Sequence, residues 1–196
     1  PVAVTALDAE ALSESTVKDI RDIAGRVPSL VVDNVNAGPS AAAISIRGIS
    51  FEDIEKSFDP AVGVVLDGVF SGTNTGQLLD AFDMESIEVL RGPQGTLFGR
   101  NTEGGAVNLI SKAPTGEWGG STTTGFGNYG SYNSTLRLNL PKFAGFSIKL
   151  DGAIQHQNAT TKNPLEGQYG WNYYHRYGGR AAIRWEPTTN LTADVA

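Results

Sequence analysis

The stretch "IEVLRGPQGTLFGRNTEGGAVNLISK", residues 87–112, places two apolar runs around a centre crowded with glycine. Residues 87–90 and 106–110 are apolar enough to predict strands. Between them lie glycines at positions 92, 95, 99, 104 and 105, with a proline at position 93. Three interpretations fit such a centre: a loop that cradles phosphate, a hinge, or a tight backbone corner inside a larger domain.

The phosphate interpretation is the weakest of the three. A P-loop needs Lys-Ser or Lys-Thr after its last glycine, and a dinucleotide loop needs the spacing G-x-G-x-x-G. Neither pattern occurs in "GPQGTLFGRN". The sequence therefore predicts no nucleotide site in this stretch.

Composition narrows the class of protein. The chain has 196 residues, 24 of them glycine, and a formal net charge of −6 without any Lys/Arg-rich run, so a nucleic-acid surface is disfavoured. Cysteine is absent, which excludes disulfides and thiolate metal sites. No apolar run is long enough for a membrane helix, and the first residues have neither the basic region nor the apolar region that a signal peptide would show.

Up to about residue 113 the pattern is mixed α/β. In "STVKDIRDIAGRVPSL", residues 15–30, Thr16 is a good N-cap with Asp19 three positions later, and Pro28 ends the predicted helix. Apolar residues follow the helical stripe between these signals. Strands are predicted at residues 30–35, 43–49, 62–70, 87–90 and 106–111.

After about residue 114 the helical pattern stops and alternating strands begin. "STLRLNL", "FSIKLDGAI" and "GRAAIRWE" each place apolar residues on one face, and "EWGGSTTTGFGNYG" and "NLTADVA" are weaker members. An antiparallel sandwich alternates in the same way. Tight turns at "NYGS", "PKFAG" and "PTTN", one long loop, and aromatic residues at the strand ends favour an outer-membrane barrel. Four or five strands fall short of the roughly 8 that the smallest barrels use, so we expect either a partial barrel or strands that are completed by something else.

Catalytic chemistry finds little support in the sequence. Acidic residues near the strands show no spacing that selects a pair for hydrolysis. A metal site at the two histidines, His156 and His175, would need carboxylates close to them in space, which the sequence does not show. We therefore expect a protein that is not an enzyme, with no cofactor and no metal site.

Two arginines stand beside glycine at predicted strand ends, in "SIRGIS" and "VLRGPQG". Because Ile44 and Ile46 share one face of a strand, Arg47 is expected on the other face. Arg91 ends its strand in the same way, with Glu88 three positions earlier. Arginine at such places suits bidentate pairing with carboxylates, and a solvated arginine is the alternative.

Taken in order, the motifs resemble those of TonB-dependent outer-membrane receptors. The matching stretches are "PVAVTALDAEAL", "IRDIAGRVPSLVV", "ISIRGIS", "VGVVLDGVF" and "MESIEVLRGPQGTLFGRNTEGGAVNLISKAP". Ser29 and Glu103 depart from the family's common residues. The resemblance implies an α+β plug domain at residues 1–113, followed at residues 114–196 by the first antiparallel strands of an incomplete transmembrane β-barrel. The glycine-rich stretch then becomes a corner of the plug.

The resemblance also implies roles for particular residues. Arg47 and Arg91, with Glu88, match positions that lock the plug to carboxylates of the barrel wall. The loops at residues 50–59 and 71–77 resemble the plug apices that contact substrate. Their candidate contact residues are Phe51, Phe58, Phe70, Thr73 and Asn74, although each phenylalanine taken singly also fits core packing.

The implied function is gated active uptake of a scarce nutrient, such as an iron–siderophore chelate, cobalamin or a glycan, at the Gram-negative outer membrane. Expected partners are the TonB/ExbB/ExbD energising complex, outer-membrane lipid, the small-molecule ligand, and a surface lipoprotein or other subunits, with no nucleic acid. The TonB-binding segment is not evident in the sequence. The rival hypothesis is a secreted or periplasmic glycan-binding β module with an attached α/β domain, which would bind glycan in the loop at residues 157–176.

Overall fold

The computed structural model describes residues 3–14, 17, 20–34, 41–50, 59–71, 83–188 and 190–196. The chain divides into two compact units, Pro1–Lys112 and Ala113–Ala196. None of the helices among the described residues is long and apolar enough to cross a membrane.

The first unit combines short helices with a mixed sheet. Its elements are β1 (Ala3–Asp8), α1 (Ala9–Glu14), α2 (Arg21–Ala24), β2 (Leu30–Asn34), β3 (Ala42–Ile46), β4 (Val62–Leu66), β5 (Val69–Ser71), β6 (Met84–Arg91), α3 (Gly95–Phe98) and β7 (Gly105–Ser111). Five strands form one sheet in the order β1-β6-β7-β4-β5, and β2 pairs with β3 separately. Strands β4 and β7 are parallel and the other pairs are antiparallel.

One face of this sheet carries the core. Register pairs Ile87 with Leu109 and Val89 with Val107, so alternate positions of β6 and β7 align on that face. The fully or almost fully buried core side chains include Ile20, Ile23, Val27, Ile46, Val62, Val64, Ile87, Val89, Val107 and Leu109. Burying each such aliphatic side chain stabilises the unit by about 1.5–3 kcal/mol before entropy is counted.

Two predicted elements differ from the structure. Within the described residues the helix predicted at residues 16–28 is Arg21–Ala24, and it ends before Pro28 because the amides of Arg26 and Val27 both donate to the Ile23 carbonyl and close a turn. Its proposed capping residues lie outside the described residues. The single strand predicted at residues 62–70 is a hairpin, because Asp67 and Gly68 take φ of 47° and 84°. Asp-Gly favours such a two-residue turn.

The second unit is an antiparallel meander. Its strands are β8 (Gly119–Phe126), β9 (Tyr132–Asn139), β10 (Phe146–Gln157), β11 (Tyr174–Thr188) and β12 (Leu191–Val195). They pair in sequence order, and no strand among the described residues closes the sheet between β8 and β12. The predicted run of antiparallel strands is confirmed.

Strand β10 buries polar residues on one face and exposes large apolar residues on the other. Ser147, Lys149 and Asp151 are buried, whereas Leu150 and Ile154, on the opposite face, are about 40–45% exposed. Register continues the apolar face across the sheet, since Leu138 opposes Leu150 and Ile183 opposes Ile148. This distribution is expected of strands whose outer face meets lipid.

The buried face of β10 carries a charge cluster. Lys149 Nζ lies 3.6 Å from Asp151 Oδ2, with both side chains 1% exposed. In register, Arg137 of β9 and Arg180 of β11 stand directly opposite Asp151. Charges at this depth persist only when they are paired.

Tight turns join three of the four strand pairs of this unit. In "NYGS", Tyr129 and Gly130 have positive φ, and in "FAGF" the same holds for Ala144 and Gly145. Phe143 and Phe146 exchange two backbone hydrogen bonds of 2.9 and 2.8 Å across the second turn. The "PTTN" turn includes residue 189, which lies outside the described residues, whereas the connection at residues 158–173 is long, as predicted.

Candidate functional site

The IRG segment forms a two-residue turn at the end of β3. The amides of Ile46 and Ile49 donate to each other's carbonyls at 3.2 and 3.1 Å, and Arg47 and Gly48 have φ of 56° and 76°. These values define a hairpin turn with both central residues left-handed. Arg47 therefore lies beyond the strand, and strand alternation does not decide the direction of its side chain.

Residues 92–105 form a closed backbone corner. The amide of Gly92 donates to Gly104 O, that of Gln94 to Thr102 O, and that of Gly104 to Ala61 O, at 2.9–3.0 Å. Thr102 Oγ1 donates to Gly99 O at 2.8 Å, and Thr102 is buried. Because these amides already donate within the chain, they cannot cradle a phosphate. The stretch is a rigid corner.

The double glycine of this corner lets the IRG turn approach it closely. A Cβ at Gly104 would lie 3.2 Å from Ile49 O, and one at Gly105 would lie 2.9 Å from Ile46 Cδ1 and collide with Leu90 O. Gly105 also has φ of 147°. Only glycine combines this backbone conformation with this proximity, so the turn and the corner pack as one piece.

Both predicted locking arginines lie at this junction. Arg47 Nη1 is 3.8 Å from the point where a Cβ on Gly92 would stand. Gly92 directly follows Arg91 in the sequence. The Arg91 Nε atom is buried and has no hydrogen-bond partner among the described residues. Within the same part of the chain neither arginine forms an ion pair. The junction therefore presents two neighbouring cations.

Glu88 is not brought to this junction. It alternates with Ile87 and Val89 of the core face and so lies on the opposite face of β6 from Arg91. There its Oε2 accepts a hydrogen bond of 3.0 Å from Asn108 Nδ2. The grouping of Glu88 with the two arginines, suggested by sequence spacing, is not what the structure shows.

The predicted apex residues are described only in part. Phe51, Phe58, Thr73 and Asn74 lie outside the described residues. Phe70 is half-buried on β5, and its ring stands 2.8 Å from where a Cβ on Gly63 would be. It packs on the sheet rather than projecting from an apex.

A cavity that sequence reasoning missed lies on the same face of the sheet as Glu88. Its volume is about 520 Å³, and its lining residues are Val65, Asp67, Gly68, Phe70, Leu97, Phe98, Asn108 and Ile110. Asp67 fixes the adjoining hairpin, because it accepts hydrogen bonds from the Ser111 amide and hydroxyl at 2.9–3.0 Å. The polar Glu88 and Asn108 within apolar strands were the signal that this face is not core. No cluster that could hold a metal ion occurs in the described ranges.

Comparisons with known proteins match these features. The family profile described as "TonB-dependent Receptor Plug Domain" matches residues 1–106. The "Pesticin receptor" of Yersinia enterocolitica is 34% identical over 141 residues, which cover 71% of this chain and 20% of the relative. The "Ferrichrome outer membrane transporter/phage receptor" of Escherichia coli K12 is 24% identical and covers 98% of the chain and 25% of the relative.

Solved structures agree in fold. The ferric yersiniabactin uptake receptor FyuA of Yersinia pestis superimposes with a TM-score of 0.80 at 28% identity, covering 95% of this chain and 29% of that one. The chain thus spans between about a fifth and a third of the length of these relatives.

Proposed function

The chain belongs to the family of TonB-dependent receptors, and we propose on that premise that it serves as the gate and part of the wall of an active transporter. Members of this family are receptors of the Gram-negative outer membrane, and this protein lies there with them. They work with TonB and bind nutrient ligands. The proposed cargo is an iron chelate, because FyuA takes up ferric yersiniabactin and a second relative transports ferrichrome, by their names.

The proposal depends most on the junction of the IRG turn and the glycine corner. This junction is rigid and carries two cations whose carboxylate partners do not lie among the described residues. A buried guanidinium nitrogen without a partner costs about 1–3 kcal/mol. We assign to Arg47 and Arg91 the locking of the plug through carboxylates elsewhere in the receptor. Glu88 holds Asn108 instead and takes no part in the lock.

Gating follows from two states of the plug. A ligand shifts a two-state equilibrium only by its differential affinity for the two states. In this proposal the ligand binds at the apices, at residues 50–59 and 71–77, and favours the state on which TonB acts. ExbB and ExbD energise TonB, and a surface lipoprotein is a further partner. No step in this cycle requires catalysis by the chain.

The lock is tested in the full-length receptor by Arg91→Ala and Arg47→Ala. In either variant we expect the plug to become cleavable by protease at a clearly lower urea concentration than in the wild type. Arg100→Ala is the matched control, because Arg100 is exposed and lies 3.7 Å from Asp59 in a weak surface pair. Unchanged protease resistance in both lock variants would count against the assignment.

Uptake is tested in a strain that lacks the receptor gene. Growth on an iron chelate as the sole iron source should be restored by the wild-type gene only when TonB is present. Accumulation of radiolabelled iron inside the cells measures transport directly. Equal accumulation with and without the receptor, across ferric phenolate and hydroxamate chelates, would overturn the proposed cargo class.

A further inference from the structure

Aromatic rings form two neighbouring groups at the end of the second unit that carries the long loop. Tyr132 and His156 stack at 5.0 Å between centroids, His156 meets His175 at 5.5 Å, and His175 meets Tyr177 at 6.3 Å. Tyr173 directly precedes the first residue of β11, and its ring centroid lies 5.8 Å from that of Tyr169. We call these residues the aromatic strip: Tyr132, His156, His175, Tyr177, Tyr173 and Tyr169.

The strip begins at the edge of the apolar band. His156 lies on the same face of β10 as Leu150 and Ile154, ten positions beyond Phe146, which stacks on Trp185 at 5.7 Å. Ten residues span about 33 Å along a strand. At the tilt usual in membrane barrels this is about 25 Å of height, the height of a lipid-facing band. Phe146 and His156 therefore mark the two edges of that band.

The strip leaves the band on the side of the long loop. Tyr173 and Tyr169 belong to the connection at residues 158–173, whereas the opposite end of the sheet has short turns. Long loops of such barrels face outward and short turns face the periplasm. The strip thus rises from the outer edge of the band into the headgroup region and beyond it.

The loop that carries the upper end of the strip is held in place by its own hydrogen bonds. The Trp171 amide donates to Thr161 O at 2.9 Å, and the Thr160 amide donates to Trp171 O at 3.1 Å. Asn163 Nδ2 donates to Tyr169 O at 3.1 Å. Tyr169, Tyr173 and Tyr177 are nevertheless 84%, 60% and 83% exposed. A preordered surface of exposed rings is suited to binding, because little entropy is lost on contact.

The chemistry of the strip fits sugar rings. Tyrosine and histidine offer an apolar ring face together with a hydrogen-bonding group at the edge, which matches the C–H faces and hydroxyls of a saccharide. None of the six residues of the strip is a lysine or an arginine, and Arg176 of β11 packs over Tyr174 on the other face. Continuity with the lipid-facing band indicates a saccharide that is attached to a lipid.

We infer that the aromatic strip binds the saccharide headgroup of an outer-leaflet glycolipid, whose acyl chains lie against the apolar band beneath it. This inference requires only that the strands span the outer membrane and does not depend on the uptake activity. A failed test would therefore leave the proposed function standing.

The test uses the full-length receptor, extracted in mild detergent after reconstitution with lipopolysaccharide, with lipopolysaccharide truncated to its innermost sugars, or with phospholipid alone. Glycolipid retained per receptor is quantified by mass spectrometry. We expect the wild type to retain at least fivefold more full-length than truncated glycolipid. The double variant Tyr169→Ser/Tyr173→Ser should abolish this preference.

Two further variants control for folding and for ring chemistry. Leu165→Ser changes an exposed residue of the same loop outside the strip and should keep the preference. Tyr173→Phe keeps the aromatic ring and should keep most of the preference for full-length glycolipid. Equal retention by the double variant, or no preference in the wild type, would overturn the inference. Retention of a copurifying protein on the strip, in place of glycolipid, would also overturn the inference.

Discussion

Strand β7 of the first unit, at residues 107–109, and strand β10 of the second, at residues 146–151, both alternate apolar and polar side chains, but they bury opposite kinds. In β7 the buried side chains are Val107 and Leu109, and Asn108 between them is half-exposed. In β10 the buried side chains are Lys149 and Asp151, and Leu150 between them is exposed. Alternation of this kind places the two sets of side chains on opposite faces and does not say which set is buried.

This difference shows that the surroundings of a sheet decide which of its faces is buried. In water, exposing an aliphatic face costs about 25 cal/mol per Å², so β7 must bury it. Against hydrocarbon that cost disappears, and polar groups must turn away from the lipid. The burial pattern of the first unit therefore suits a sheet with an apolar protein core, and that of the second suits a sheet whose outer face meets lipid. Substitutions in the two units should have different effects for this reason.

The largest effect is expected where the first unit is packed most tightly. Gly105→Ala places a methyl group against Leu90 O and within 2.9 Å of Ile46 Cδ1, at φ of 147°. Overpacking and backbone strain together should cost about 3–5 kcal/mol. The measurement is the urea midpoint for loss of protease protection of the plug in the full-length receptor.

Gly95→Ala is the control for this prediction. It lies at the start of α3, where an added Cβ meets nothing within 4 Å, and helix propensity favours alanine there. Its midpoint should equal or exceed that of the wild type. If both variants had the same midpoint, the close approach of the corner to β6 would be wrong.

The next largest effect is expected on the exposed apolar face of the second unit. Leu150→Arg places a charge near the middle of the proposed lipid-facing band and should destabilise the strands by about 2–4 kcal/mol in vesicles. Leu191→Arg makes the same change at the turn end of β12, where Leu191 is exposed, and should cost about 0–1 kcal/mol. Unfolding of the receptor in vesicles measures both, and equal costs at the two sites would mean that this face meets water.

The glycine corner and the alternation of the second unit's strands were predictable from sequence for physical reasons, whereas the choice of the buried face was not. Glycines 104 and 105 together demand close backbone approach, and the alternation of "FSIKLDGAI" survives whichever face is buried. The hairpin at residues 62–71 also has a sequence signal, because Asp67-Gly68 favours a two-residue turn.

Contacts between distant positions were beyond sequence reasoning. Glu88 and Arg91 are three positions apart, which joins side chains on a helix but separates them on a strand. The burial of Lys149 beside Asp151 depends on cross-strand register, which places Arg137 and Arg180 opposite Asp151. Sequence spacing within one strand carries no information about such partners.

A smaller effect compares one turn type in the two units. Gly68 and Gly145 both stand at the second position of a two-residue turn with φ of 84°. A Cβ at Gly68 meets nothing within 4 Å, whereas one at Gly145 lies 2.9 Å from Glu186 O. Both alanine variants should lose about 1 kcal/mol from backbone strain, and Gly145→Ala about 1–2 kcal/mol more from crowding. Unfolding free energies of the two single variants measure this difference, and the reverse order would contradict the packing of β10 on β11.

The smallest effect is expected at a surface ion pair of the second unit. Lys142 Nζ lies 2.6 Å from Glu186 Oε2, with both side chains at least a third exposed. Glu186→Gln should cost about 0.2–1 kcal/mol at low salt, and the loss should shrink as the Debye length falls to about 3 Å in 1 M salt. Glu166→Gln removes an acid that has no ion pair within the described part of the chain, and it should change nothing at either salt concentration. Water weakens an ion pair at this exposure even when the two charged atoms are close together. A loss of stability above about 2 kcal/mol that persists in high salt would therefore contradict the prediction. It would mean that this end of the sheet is shielded from water, as the pair between Lys149 and Asp151 is.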